Sequence, residues 1–317
     1  MAFKKTFGQS FDTIEPLNAG SSISFSVLYK AYLNKKPYVI RFGNVKLKDS
    51  RREIKTMMIA SNAGITPKIY YANNKDGLII MDYIESKGFS ENENSNPKIY
   101  EKLGWLAKQI HSLDKFPKFM TVFEIIRYNK YQLTASLSKL IKGGESKLKT
   151  IEKTLKKYSI HRSIHNDLNP NNILYDGKDF WVIDWEMASQ GDPFFDLATL
   201  ANFYIFDNRF EKIFLRAYFG REPNEAERAR FYLMKQVSLY YYGLELIYGS
   251  QNLGAKSKSF QEIQLLPSLA QYYKNSSQNE KTLTKAEHLS KFGHVLLKEA
   301  LINLNSKTFQ KTIDFRF

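Results

Sequence analysis

The chain has 317 residues, 43% of them hydrophobic and 15% aromatic, which suffices for one large domain or two fused lobes. It contains no cysteine, so disulfides and thiolate metal sites are excluded, and its five histidines show no metal-ligand spacing. The net charge of +15 would suit nucleic acid, a membrane surface or an anionic substrate, but lysine is spread along the whole chain. The densest run, residues 138–162, holds eight Lys/Arg against two Glu and reads as a solvated helical face. No nucleic-acid module accompanies it, so no nucleic-acid partner is expected. The N-terminus carries no long apolar run, and no window approaches the ~18 apolar residues of a membrane span. The expectation is a soluble cytoplasmic protein.

In chain order, "SFSVLYKA" (24–31) and "PYVIRF" (37–42) alternate with a period of two and predict a strand pair joined by "YLNKK". Helical spacing over 49–64 stops at Gly64. "PKIYYAN" and "GLIIMDYI" predict two further strands around "NNKDG". Residues 1–84 therefore form a small sheet with one helix. Residues 85–98 are polar and aperiodic, a hinge or linker. From 99 to 317 helical patterns dominate: 98–113, 121–141, 144–158, 194–248 and about 282–304, with loops at 251–259 and 274–281. One hairpin interrupts them, "NILYDGKDFWVIDW", two apolar runs about an Asp-Gly turn. The class is α+β, a β-rich N-terminal lobe followed by a mainly α-helical C-terminal lobe.

The chemistry concentrates in "SIHNDLNPNNILYDGKDFWVIDWE", residues 163–186. Asp167 and Asn172 lie five apart, and Asp184 follows twelve later. Any hairpin about Asp176-Gly177 brings Asn172 and Asp184 to the same open end. An amide oxygen and a carboxylate held together suit a hard cation such as Mg²⁺. Asp167, on the loop leading in, is free to face a substrate hydroxyl. A base on the hydroxyl and cations on the phosphates are what phosphoryl transfer requires. His165 is expected to brace the loop through its ring nitrogens.

H-x-D-x-x-x-x-N, a strand pair and then I-D resemble the catalytic and metal loops of protein-kinase-like phosphotransferases. There is no D-F-G and no A-P-E; "HNDLNPNNIL", "VIDWE" and "DPFFDLA" resemble the aminoglycoside phosphotransferase and choline kinase family, most of all bacterial choline kinases. The resemblance runs from about residue 15 to 250. It implies a two-lobed protein-kinase-like fold, an enzyme that phosphorylates an alcohol, and ATP with Mg²⁺ as cofactors, Asp167 being the catalytic base. It implies that the backbone around Gly20, Ser21 and Ser22 covers the nucleotide. Arg41 on the third strand would contact phosphates. A charge in an apolar strand needs a partner, and Glu53 on the following helix supplies one. Backbone groups from Met81 to Tyr83 would meet adenine, and Asp196 would steady the catalytic loop.

For the acceptor, residues 185–250 are rich in aromatics. Three successive tyrosines in "VSLYYYGLELIYG" are not expected to all face inward on a helix. An aromatic-lined pocket suits a quaternary ammonium by cation–π contact. The expected acceptor contacts are Asn169, Trp185, Glu186, Tyr204, Tyr241 and Glu245, and the expected substrate is choline or a related amino alcohol. The alternatives are an aminoglycoside, thiamine or sugar acceptor, and a non-catalytic binding module of kinase fold.

Overall fold

The computed structural model describes residues 2–17, 26–43, 50–88, 95–130, 135–256, 258–279 and 283–315. The first elements are α1 (Ala2–Phe7), β1 (Thr13–Pro16), β2 (Val27–Leu33), β3 (Lys36–Phe42), α2 (Ser50–Asn62), β4 (Ile69–Asn73) and β5 (Leu78–Asp82). Next come α3 (Pro97–His111), α4 (Val122–Lys130), α5 (Ala135–Lys156), β6 (Arg162–Ile164), β7 (Ile173–Tyr175), β8 (Phe180–Val182) and β9 (Ser189–Gly191). The remainder is helical: α6 (Pro193–Tyr204), α7 (Asn208–Phe219), α8 (Glu225–Asn252), α9 (Phe260–Gln264), α10 (Leu269–Asn279), α11 (Lys285–Leu304) and α12 (Lys307–Ile313). The chain divides into two compact units. The first joins Met1–Phe119, Arg162–Gly191 and Lys212–Arg221; the second joins Met120–His161, Asp192–Glu211 and Glu222–Phe317. No helix among the described residues is long and apolar enough to cross a membrane.

In the first unit the sheet runs β1-β2-β3-β5-β4, antiparallel throughout. The strands β2 and β3 extend further than the alternation suggests, so only Asn34 and Lys35 turn between them. Both take positive φ (50° and 65°), the pairing of a two-residue turn that follows the twist of its strands. The Asp12 carboxylate accepts the Asn34 N–H at 2.8 Å. As a central strand, β3 buries four consecutive residues, Tyr38 to Arg41. Helix α2 buries Glu53, Ile54, Thr56, Met57 and Ala60, one face at helical spacing. It ends at Asn62, and the chain turns away at Gly64, whose φ of +72° a glycine adopts without cost, two residues beyond the helix. Two elements were not foreseen here, β1 and α1; Phe7 of α1 packs on Tyr38 and Tyr70 with ring centroids 5.1 and 5.4 Å away.

The hairpin β7–β8 forms about Asp176-Gly177 as expected, in the register Ile173↔Val182. It docks against the loop after α2, where the Val182 N–H donates to Ile65 O at 2.9 Å and the Thr66 hydroxyl donates to Val182 O. The strands β6 and β9 form a second pair that the sequence does not announce, since each is three residues long.

In the second unit, α8 packs against α11 and α6, with α4 and α5 also in contact. The predicted break between 141 and 144 is absent: α5 runs through Gly143-Gly144. A Cβ on Gly144 would come within 2.7 Å of Tyr240 Cε2, so the missing side chain there serves helix packing rather than a turn. The loop expected over 274–281 is in large part helix α10, and its last residues lie outside the described ones.

Candidate active site

The hairpin delivers its two ends together. The Ile183 N–H donates to Asn172 O at 2.9 Å, so Asn172 stands beside the residue that precedes Asp184. Asp167 is held from two sides: Asn169 Nδ2 donates to Oδ1 and Asn172 Nδ2 to Oδ2, both at 2.7 Å. With its nitrogen engaged there, and on the Asp167 carbonyl at 2.9 Å, Asn172 keeps its amide oxygen for another partner. The Asp184 backbone takes φ +62°, a conformation that Asp tolerates better than most residues. Its Oδ1 is buried with no hydrogen-bond partner. A buried carboxylate oxygen without a donor is costly unless something else supplies positive charge. Burial raises the pKa of Asp184; Arg41 opposes the rise, and Glu53 and Asp167 add to it.

That orphaned oxygen fits a divalent cation. Among the described residues no three His, Asp or Glu side chains converge into a protein-only cage. Asn172 and Asp184 would supply two oxygens, which suits an ion that keeps waters and takes its remaining ligands from phosphates.

His165 is fully buried and braces the loop as expected. Its Nδ1 accepts the Asp167 N–H at 3.2 Å, so the proton sits on Nε2, which donates to Ile183 O at 3.1 Å. One ring thus ties the Asp167 loop to the Asp184 strand. Asn166, at φ +67°, donates to Met187 O and to Ser189 Oγ at 2.9 and 2.8 Å.

The Arg41 guanidinium contacts Glu53 within the buried part of the sheet and donates from Nε to Ser26 Oγ at 3.1 Å. Burial works against its charge, but Glu53, then Asp184 and Glu186, hold its pKa above the usual value. Met81 is buried between Val39 and Ile69 in the ladder, and Lys68 O accepts the Asp82 N–H at 3.0 Å. Tyr83 is the first residue past β5, with Lys30 Nζ 4.0 Å from its ring centre. Gly20, Ser21 and Ser22 lie outside the described residues.

The aromatic acceptor contacts are corrected. Trp185 is 0% exposed; its indole N–H is shared between Thr66 Oγ1 (2.9 Å) and Val182 O (3.2 Å), and its ring meets His165 and Phe116. It supports the loop from within. Tyr240, Tyr241 and Tyr242 are all buried in the second unit, because α8 is packed on several sides and has no wet face for them. Tyr204 is buried there too, and that burial holds its hydroxyl pKa high. Glu245, on α8, is half-buried. Asp196, on α6, is fully buried in the second unit.

Glu186 is exposed by surface area. Its pKa is pushed up to about 7 by loss of water and by the carboxylates of Asp184 and Glu53, with Arg41 opposing.

Two residues of the site were missed. Thr66 bridges Trp185 to Val182. Arg52, on α2, donates to the carbonyls of Glu186 and Ala188. Both act on main chain or on a buried ring more than a hundred residues away, which no local pattern signals.

The model of the phosphotransferase enzyme family, APH, matches residues 13–232. The chain belongs to the phosphotransferase enzyme family. Among curated relatives, a LicA homolog of Mycoplasma capricolum is 27% identical over 153 residues, 48% of this chain and 61% of that protein. An uncharacterised protein of Metamycoplasma hominis is 27% identical over 141 residues, 44% of this chain and 28% of its own length. The matches thus span less than two thirds of these relatives. Three solved family structures share the fold. A choline/ethanolamine kinase family protein of Mesorhizobium loti superposes with a TM-score of 0.66 at 18% identity, over 95% of this chain and 91% of its own. The choline kinase LicA of Streptococcus pneumoniae gives 0.60 at 22%, over 80% and 91%. A spectinomycin phosphotransferase in complex with ADP and spectinomycin gives 0.55 at 16%, over 93% and 96%. The expected α+β kinase-like class is thereby shown, with a five-stranded antiparallel N-terminal sheet and a mostly helical remainder.

Proposed function

We propose that the chain is an ATP- and Mg²⁺-dependent small-molecule kinase that phosphorylates a hydroxyl of choline or a related amino alcohol. The observation that carries the reading is the Asp167 carboxylate, gripped by Asn169 and Asn172 beside the partnerless buried oxygen of Asp184. In the reaction the acceptor oxygen bonds to the γ-phosphorus, the bond from that phosphorus to the β,γ-bridging oxygen breaks, and ADP leaves. The hydroxyl proton passes to an Asp167 oxygen late, because charge in the loose transition state sits mainly on phosphate oxygens. Asn169 and Asn172 aim the carboxylate, so that little reorganisation is needed during the step. Arg41, fixed by Glu53, is poised for the phosphates, and Tyr83 with the end of β5 for the base. When bound at Asn172 and Asp184, Mg²⁺ neutralises phosphate charge.

Choline as acceptor is supported by likeness to proteins described as choline kinases. The aromatic-cage argument no longer supports it, since Trp185, Tyr204 and Tyr241 are buried. Glu186, exposed and next but one to Asp184, remains the acidic candidate for a cationic head, and Asn169 the candidate for the hydroxyl. The spectinomycin phosphotransferase likeness keeps an aminoglycoside as the second reading. An ADP-release screen over choline, ethanolamine, thiamine and spectinomycin tests both. Turnover with choline or ethanolamine alone supports the first, turnover with spectinomycin the second, and turnover with no hydroxyl acceptor defeats the kinase reading.

A further inference from the structure

Helix α2 carries two adjacent charges that reach different parts of the site. Glu53 meets Arg41 on β3. Arg52 donates from Nη1 to Ala188 O and from Nη2 to Glu186 O, and its guanidinium lies 3.9 Å from the centre of the Phe119 ring. Successive helical residues project roughly 100° apart, so one helix can face two partners at once. The two carbonyls belong to the loop between β8 and β9, directly after Asp184. Within that loop Ala188 N–H donates to Trp185 O at 3.1 Å, and from outside it Asn166 Nδ2 donates to Met187 O at 2.9 Å, so Arg52 supplies the tie to α2. The loop must also hold Asp184 at φ +62°. A planar fork on two carbonyls two residues apart fixes the orientation of the turn as well as its distance from α2.

We propose that Arg52 is a positioning residue of the phosphotransfer site. Its fork holds the turn at residues 184–188 so that Asp184 presents its carboxylate to the cation, and it couples that turn through α2 to the Arg41–Glu53 pair. The inference rests on the phosphotransferase reading. A purely structural tie would lower stability and leave metal use unchanged. A positioning tie raises the Mg²⁺ requirement, because partners that orient a ligand typically cost 10–100-fold in metal affinity when removed.

The test uses the full chain as wild type, Arg52→Lys and Arg52→Ala. One readout is amide hydrogen exchange over residues 184–190. The other, by calorimetry, is the Mg²⁺ concentration that gives half-maximal tightening of ADP binding. For Arg52→Ala we expect that concentration to rise roughly tenfold, faster exchange over 184–190, and metal-free ADP affinity within about twofold of wild type, since nothing in the proposal touches the nucleotide directly. Arg52→Lys should fall between, because a lysine keeps the charge but cannot grip both carbonyls in one plane. An unchanged Mg²⁺ requirement in Arg52→Ala overturns the proposal, whether or not exchange over 184–190 quickens, and so does complete restoration by lysine. Should Arg52→Ala fail to fold, Arg52→Lys carries the comparison. A wild type without Mg²⁺-dependent ADP binding defeats the phosphotransferase reading instead, and the exchange data still decide whether Arg52 holds the turn.

Discussion

Asp167 depends on its neighbours for aim, and its neighbours depend on one imidazole. Two asparagine amides fix the carboxylate, and His165 fixes the loop that carries it. Asp167→Asn keeps the size and loses the proton acceptor. We expect kcat to fall by about 10²–10⁴-fold with ATP affinity within about twofold, read by turnover against nucleotide titration; near-normal kcat would remove Asp167 from the base role. The Arg41–Glu53 pair permits a second test. Both side chains are almost fully buried, so removing one leaves a charge without its main partner. Glu53→Ala should cost about 3–5 kcal/mol in urea unfolding, whereas a double replacement of both residues by methionine should cost less while losing nucleotide affinity. An equal loss in the two variants would show that the pair is worth its own Coulomb attraction and little is due to stranded charge. These residues were legible from the sequence because each polar group sits against a pattern that does not want it: an arginine in an apolar strand, and an aspartate and an asparagine at the ends of an apolar hairpin. Arg52 was not legible, since a carbonyl partner can be any residue.

At the scale of elements, the sequence reading fails where packing overrides local preference. Gly143-Gly144 looks like a helix break, yet α5 continues because Gly144 faces the Tyr240 ring and Leu301 of α11. The two glycines then make opposite predictions. A Cβ at Gly143 meets nothing within 4 Å, so Gly143→Ala should stabilise by about 0.8–1 kcal/mol through helix propensity alone. At Gly144 a Cβ would stand 2.7 Å from Tyr240 Cε2, and Gly144→Ala should destabilise by about 1–3 kcal/mol through overpacking. Paired urea titrations settle the signs, and stabilisation by both would mean that α5 does not sit on α8 as described. The crossing of α8 and α11 follows the same rule. Gly243 and Gly293 face each other there, each Cβ position within 3.1 Å of the other's carbonyl oxygen. That close approach also explains the buried tyrosines: α8 is enclosed by neighbours, so its period-3.6 pattern loses the polar stripe by which a surface helix is recognised.

For the whole molecule, the net charge of +15 sets how stability responds to acid. Every protonation below neutrality adds to an excess already present, and self-repulsion grows. The shifted groups divide: Asp184 and Glu186, raised in the folded chain, bind their protons more tightly when folded and oppose the loss, whereas His294 adds to it. Burial holds His294 below the ordinary histidine range, helped by Lys258 and opposed by its Ser290 hydrogen bond and by Glu262. Its Nδ1 donates to Ser290 O at 2.7 Å in either protonation state, so it is burial that favours the neutral ring. A histidine whose folded pKa lies below its unfolded value takes up its proton more readily when unfolded. Its contribution is fully present above the unfolded pKa, about 6.5, and is lost as pH falls below that value. Glu124, Glu287 and Asp176 are held below the ordinary range by hydrogen bonds to the charged form, so they withdraw stability only in more acid solution. Acid destabilisation should therefore begin in two stages, the histidine first. Thermal unfolding of the wild type from pH 7.5 to 5.5 should show a falling midpoint, and His294→Gln should flatten that part of the curve while leaving the steeper fall at lower pH in place. A variant curve parallel to wild type over this interval would assign the early loss to net charge and leave His294 without a role in it.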